Sequence, residues 1–323
     1  MRRMLAAAML AALCVAGPAR ADCISIDSAR LPTPYNPFNA SAGIDQTITL
    51  SVRRYPVILL DKPDEANIVF VRRAGDNYPY DIILVKDDGA GSGGSVLYSS
   101  PPTLSAGNND NGEIDVDYGI ILGSDVRYPQ IRFTAPVNTD LPAGDIELAF
   151  DIKVLCESPT SLETISSGFK ISLTVLSALQ ASYTGSALDF GEIGGMTTAD
   201  INASGDAVKR RTGNIRVASS GPYKLEATSQ NNWQLTKGGT PTANANERIA
   251  YQFSLAGRTA QTGSDYAPKA CLRAGVAGEY VPVSALLLEG GVGKAASSTY
   301  QDVVTVTVTP LGATEAPGAT TCR

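Results

Sequence analysis

Tyr300-Gln301-Asp302-Val303-Val304-Thr305-Val306-Thr307-Val308-Thr309 is the stretch whose reading decides the fold. In an extended chain Val304, Val306 and Val308 fall on one face and Thr305, Thr307 and Thr309 on the other, the period of a strand buried on one side. A strand this regular needs neighbours on both edges. The ten residues that follow, Pro310-Leu311-Gly312-Ala313-Thr314-Glu315-Ala316-Pro317-Gly318-Ala319, are broken by prolines and glycines and offer no further strand. The sheet is therefore expected to stop one strand short of closure.

Working outward, the pattern recurs near the middle of the chain. Leu141-Pro142-Ala143-Gly144 leads into Asp145 to Cys156, where Ile146, Leu148, Phe150, Ile152, Val154 and Cys156 share one face. Two such strands, each closing a half, indicate an internal duplication. The intervening segments are short, rich in Val, Ile, Thr and Tyr, and separated by Gly, Pro, Asn and Asp, with no long amphipathic helical pattern. Strands are expected at Ile44 to Arg53, Ile68 to Arg73, Tyr80 to Lys86, Asn214 to Ala218, Tyr223 to Thr228, Arg248 to Leu255 and Val281 to Leu288. The fold class is all-β, in two domains, 22–165 and 166–323. Phe169 to Val175 alternates as a strand that can close the first domain or open the second.

Residues 1–21 have the layout of an export signal: Arg2 and Arg3, an apolar run from Leu5 to Val15, then Ala19-Arg20-Ala21 as a small-x-small cleavage site. The apolar run is shorter than the roughly 20 residues that a bilayer span requires. Without the signal's three arginines the 26 basic residues become 23 against 32 acidic ones, a formal net charge of −9. That balance excludes nucleic acid as an expected partner. Cys23, Cys156, Cys271 and Cys322 remain beyond the signal, an even number suited to disulfides in an oxidising compartment. Three pairings are possible; Cys23 with Cys156 and Cys271 with Cys322 is expected because each bridge then closes within one half.

The order of several short motifs resembles the spore coat protein U-like domain, the subunit fold of archaic chaperone-usher pili. Pro34-Tyr35-Asn36-Pro37-Phe38 and Leu188-Asp189-Phe190-Gly191 stand near the two domain starts, and Ser220-Gly221-Pro222-Tyr223 follows in the second. Leu141-Pro142-Ala143-Gly144 and Tyr300-Gln301-Asp302 precede the two closing strands. The second half fits over residues 180 to 310, the first mainly at its two ends. A departure is the missing early cysteine of the second domain, where Cys271 is instead paired with the tail. The resemblance implies tandem immunoglobulin-like sandwiches, the second incomplete and filled by a donor strand from another polypeptide. A periplasmic pilus chaperone would supply that strand first, and the next pilus subunit would replace it at an outer-membrane usher. Val304, Val306 and Val308 would face the donor-strand groove. Only Asp22 precedes Cys23 after the signal, so no donor extension is expected. This points to a pilus-tip subunit, exported through the periplasm to the cell surface, that attaches to an abiotic or host surface and promotes biofilm formation. The rival within the same fold is a non-adhesive structural subunit or secreted coat protein.

No enzyme and no cofactor are expected. The chain contains no histidine, which excludes Ser-His-Asp and Cys-His catalysis. Asp115 with Asp117, or Asp87 with Asp88, can be imagined as the carboxylate pair of a secreted carbohydrate-active enzyme, but loop solvation explains them as well. Asn108-Asn109-Asp110-Asn111-Gly112-Glu113 offers oxygen ligands without the spacing of a calcium loop, so no metal is expected. Candidate contact residues are apolar side chains in non-alternating stretches of the first domain: Tyr55, Val57, Ile58, Leu59 and Leu60, then Tyr78 and Tyr80, then Ile120 and Ile121. The first and third stretches read equally as strands buried on both faces. Trp233 is expected in a core, and Lys209-Arg210-Arg211 in a solvated loop.

Overall fold

The computed structural model describes residues 19–20, 23–39, 43–55, 63–86, 94–100, 104, 112–119, 125–157, 161–297, 299–312 and 315–323. The described chain is all-β, with two short α-helices and one turn of 3-10 helix. It divides into two compact units. The first comprises Met1–Pro32, Asp45–Ala135 and Glu147–Leu173; the second comprises Thr33–Ile44, Pro136–Ile146 and Thr174–Arg323. The strand left open between the halves packs with the first unit as far as Leu173, beyond the expected division at 165, and the Pro34–Phe38 turn counts with the second.

In the first unit a central sheet runs in the order Ala29–Arg30, Ser161–Val175, Gly144–Glu157, Glu65–Arg72 and Leu97–Tyr98, with Ile114–Asp117 also beside Glu65–Arg72. A second sheet orders Ile44–Thr49, Gln130–Ala135 and Asp81–Lys86, and a third Ala19–Arg20, Ile24–Ile26, Val52–Arg54 and Val126–Arg127. Leu148, Phe150, Ile152, Val154 and Cys156 are all buried, as their shared face requires. Phe70 stacks on Phe169 at 4.8 Å between ring centres and Phe150 lies 6.1 Å from Phe70, so aromatic burial anchors this core. Leu155, on the opposite face, joins Val69 and Leu104 in a smaller cluster. Coverage on both faces explains why Ala66 to Val71 is an unbroken buried run. Cys23 is bonded to Cys156.

The second unit is a sandwich. Its strands are β1 (Leu179–Thr184), β2 (Arg210–Ser219), β3 (Tyr223–Ser229), β4 (Gln234–Lys237), β5 (Arg248–Leu255), β6 (Arg258–Ala260), β7 (Lys269–Cys271), β8 (Gly275–Leu287), β9 (Tyr300–Gln301) and β10 (Val304–Pro310). The helices α1 (Thr198–Ala203) and α2 (Asp206–Lys209) lie between β1 and β2. One sheet has the order β1-β2-β8-β5-β4-β9 with β6 on β5, and the other β7-β3-β10; every pairing is antiparallel. Period-two alternation puts Ile249, Tyr251, Phe253 and Leu255 of β5 into one core with Val217 of β2 and Leu225 of β3. Trp233 is 1% exposed and stacked on Phe253 at 5.4 Å, the core role expected of it.

Candidate functional site

The open edge of the smaller sheet belongs to β10. On one side β10 pairs with β3 along its whole length, Val304 opposite Ser229, Val306 opposite Ala227 and Val308 opposite Leu225. On the other side no strand pairs with it among the described residues. Its alternate N–H and C=O groups are thereby left for solvent or for another chain. Thr305 and Thr307 are exposed, whereas Val304, Val306 and Val308 are only half-buried although they point toward the apolar core.

Half-burial has a cause at two of them: Val304 and Val306 border a cavity, whereas Val308 is not part of its lining. The cavity measures about 1090 Å³ and is lined by Val304 and Val306 of β10, by Ile249, Tyr251 and Phe253 of β5, and by Val283 and Ala285 of β8. Ile215, Leu235 and the stretch Ala187 to Gly194 add to this apolar side, while Asp189, Glu192, Lys294, Ser297, Gln301 and Asp302 make the rest of the lining polar. The backbone of Leu188 to Ile193 is irregular, with Gly191 at a φ of 71° that breaks an extended run.

The head of β10 is fixed by a buried polar cluster. Asp302 accepts hydrogen bonds from Ser229 Oγ (2.6 Å), the Asn231 backbone N–H (3.0 Å) and the Tyr251 hydroxyl (2.6 Å). Burial, and then the Asp302 carboxylate it is bonded to, push the Tyr251 phenol well above its usual range, so it stays a donor. Asn231 Nδ2 donates to the Gln301 carbonyl (3.1 Å) and the Tyr300 hydroxyl to the Ala295 carbonyl (2.7 Å). The three residues before the valine strand therefore lock its register and the end of the groove.

The tail does not fill the gap. After Leu311, whose N–H donates to the Pro222 carbonyl (2.9 Å), the chain reaches the opposite edge of the same sheet. There Thr320 bridges Cys271 in parallel, the Leu272 N–H donates to Thr320 O (3.0 Å), and Cys322 is bonded to Cys271. One edge is thus covered by a disulfide-tied segment, and the other has no paired strand among the described residues.

The candidate contact residues of the first unit fare unevenly. Val57, Ile58, Leu59, Leu60, Ile120 and Ile121 lie outside the described residues, as do Asp87, Asp88 and Asn108 to Asn111. Tyr55 is half-buried, its N–H bonded to Cys23 O (2.7 Å) and its hydroxyl accepting from Ser25 (3.2 Å). Tyr78 is half-buried as well. Tyr80 is a correction: it is 5% exposed, stacked on Phe133 at 5.1 Å and edge-on to Phe150 at 5.9 Å, so its ring is core. Its phase with Ile82 and Leu84, both buried, accounts for this.

Two residues of that unit escaped the sequence reading. Tyr128, at 60%, is the most exposed aromatic among the first unit's described residues. Arg54 has a fully buried side chain that ion-pairs with Asp125 (3.0 Å), donates to Pro63 O (3.1 Å) and Gly119 O (3.4 Å), and lies 5.1 Å over the Tyr118 ring. It thereby gathers Pro63, Gly119 and Asp125, the residues that flank 56–62 and 120–124. Asp115, 7% exposed, stands opposite Asn67 in the central sheet. Its neighbour Glu65 is pushed up to about 7, by burial first, then by its hydrogen bond with Asp115 and by the charges of Asp115, Glu157 and Asp117.

No protein-family model matches the chain, and no curated protein matches it in sequence. Among solved structures, CfaE, the adhesive subunit of the CFA/I fimbria of enterotoxigenic Escherichia coli, is 10% identical with a TM-score of 0.39, covering 90% of this chain and 82% of that one. The CsuC-CsuE chaperone-tip adhesion subunit pre-assembly complex from archaic chaperone-usher Csu pili of Acinetobacter baumannii gives 12% identity and a TM-score of 0.34, covering 88% and 99%. A protein of unknown function from Porphyromonas gingivalis W83 gives 12% and 0.26, covering 82% of each chain. Likenesses of this size assign no function.

Proposed function

We propose that the protein is a chaperone-usher pilus subunit whose second unit accepts a strand from another polypeptide, and whose first unit carries an adhesive surface at the fibre tip. The observation that carries this reading is β10: its outer edge is unpaired among the described residues, and its Val304 and Val306 border a groove of about 1090 Å³ with an apolar floor and a partly polar wall. An inserted strand would satisfy the backbone groups of that edge and bury the groove at once. A periplasmic chaperone is the first occupant in this account and the next subunit, delivered at the usher, the second. The tail, tied to the β7 edge, leaves the groove to an outside strand. The role is assembly and binding, not catalysis, and the expected location is the cell surface.

Contact with an abiotic or host surface is assigned to 55–60 and 120–121, with Tyr128 added and Tyr80 removed. Co-purification of the exported chain with and without its chaperone tests the assembly role. A chain that is stable only in complex, and whose chaperone a donor peptide displaces, supports the proposal; a stable monomer that ignores the peptide refutes it. For attachment, joint replacement of Ile58, Leu59 and Ile121 by Ser is expected to abolish surface binding with secretion unchanged. Lost secretion would instead place these residues in a core, and normal attachment would favour a non-adhesive subunit.

A further inference from the structure

The stretch Leu188 to Gly194 lines the groove but belongs to no strand or helix, so no ladder of hydrogen bonds holds it. Part of its hold is a close approach: a Cβ on Gly291 would sit 2.6 Å from the Ile193 carbonyl oxygen, and the Gly291 N–H donates to that oxygen (3.2 Å). The Met196 N–H also donates to Ile193 O (3.1 Å), Leu188, Phe190 and Ile193 pack on the core, and a further set of bonds comes from one side chain at the start of β2. Arg211 donates from Nε to the Asp189 carbonyl and from Nη2 to the Phe190 carbonyl (3.2 Å). Its Nη1 reaches the carbonyls of Ala207 (2.8 Å) and Val208 (3.1 Å) in α2. The guanidinium also lies 5.6 Å over the Phe190 ring, which is 9% exposed and lines the groove.

We propose that Arg211 is a positioning residue: it latches the groove-lining stretch to α2, holds Phe190 in the wall, and thereby sets how long an inserted strand stays bound. The inference rests on the groove reading above. Only the guanidinium suits the task, because its planar fork presents five donors to carbonyls arriving from two directions, whereas an ammonium on a flexible stem reaches fewer at once. The neighbouring basic residue does something else. Arg210 pairs with Asp206 (3.0 Å), four residues before it, and makes no hydrogen bond to the groove-lining stretch. Arg211 is therefore the member of the basic run that turns inward, and it acts on the groove only through Asp189 and Phe190.

The full exported chain tests this as Arg211→Lys, with Arg210→Lys as control and Arg211→Gln in reserve should the lysine variant fail to fold. The probe is a synthetic peptide of about ten residues with Val or Ile at alternate positions and Thr or Ser between. In Arg211→Lys the amides of Asp189 and Gly191, which donate within the stretch to Ala187 O (2.8 Å) and Asp189 Oδ1 (2.8 Å), should exchange about tenfold faster, the equivalent of one net hydrogen bond lost, and those of β5 should not change. The peptide should leave about tenfold faster, with a smaller effect on its association rate. Arg210→Lys should do neither. Unchanged exchange, or faster exchange with an unchanged peptide lifetime, would overturn the proposal. A wild-type chain that takes up no peptide would refute the groove reading instead; the exchange comparison would then still decide whether Arg211 holds the stretch.

Discussion

Replacing Val by Thr at two positions of the same core separates an open groove from a closed one. Val281 of β8 is fully buried, while Val306 of β10 is half-buried at the cavity's edge. The two side chains have nearly the same shape, so Val→Thr adds a hydroxyl and little else. At Val281 that hydroxyl enters a closed core, and burying it without a partner costs about 1–3 kcal/mol of stability. At Val306 the free chain leaves it partly hydrated, and the expected loss is below about 1 kcal/mol. Once a strand fills the groove the Val306→Thr hydroxyl is buried in turn. The about 1–3 kcal/mol then appears in the affinity for the alternating Val/Thr peptide, a weakening of about 5- to 150-fold. Urea unfolding of both variants, with and without peptide, measures the two quantities. Equal destabilisation of the free chain by both substitutions would show that Val306 already lies in a closed core, and an unchanged peptide affinity would show that the groove is not the binding site.

Three further outcomes follow from other parts of the molecule. Replacing Cys271 and Cys322 by Ala opens a bridge spanning 51 residues, for which loop-closure entropy predicts about 4 kcal/mol of lost stability in urea; self-association through the uncovered β7 edge should follow, and a variant that stays monomeric and equally stable would contradict the tail's role. Glu65, raised from 4.5 to about 7, keeps in the folded state a proton that the unfolded chain releases. The first unit should therefore lose stability as pH rises from 4.5 to 7, on the order of 1 kcal/mol after discounting for solvent screening; Glu65→Gln should remove that dependence in unfolding curves. Arg54→Met removes the buried guanidinium, leaves the 44% exposed Asp125 to solvent, and takes a donor from the Pro63 and Gly119 carbonyls, so a loss of about 1–3 kcal/mol and weaker surface attachment are expected from calorimetry and adhesion assays.

The sequence shows some of this architecture better than the rest, for physical reasons. Alternation of Val and Thr reports which face of β10 is buried, because side chains alternate whatever the neighbours are. It says nothing about which edge is unpaired, since edges are settled by backbone partners far away in the chain, here Tyr223 to Ser229. The cysteine pairing was legible because each bridge closes within its own half. Tyr80 was misplaced by its neighbours Tyr78 and Pro79, which look like a turn, although its phase with Ile82 and Leu84 carried the right signal. Leu188 to Ile193 has strand-like composition, yet Gly191 and the close packing against Gly291 hold it in an irregular path. Arg211 left no signature, because its partners are main-chain carbonyls that any residue supplies.

Amide exchange along β10 of the exported chain tests the open-edge account most directly. Alternate amides of Val304 to Thr309, those directed away from β3, should exchange freely in the isolated chain and become protected when the alternating Val/Thr peptide is added, while the β3-facing amides stay protected throughout. Full protection of β10 in the isolated chain, unchanged by peptide, would mean that the sandwich is already closed from within and would contradict the account.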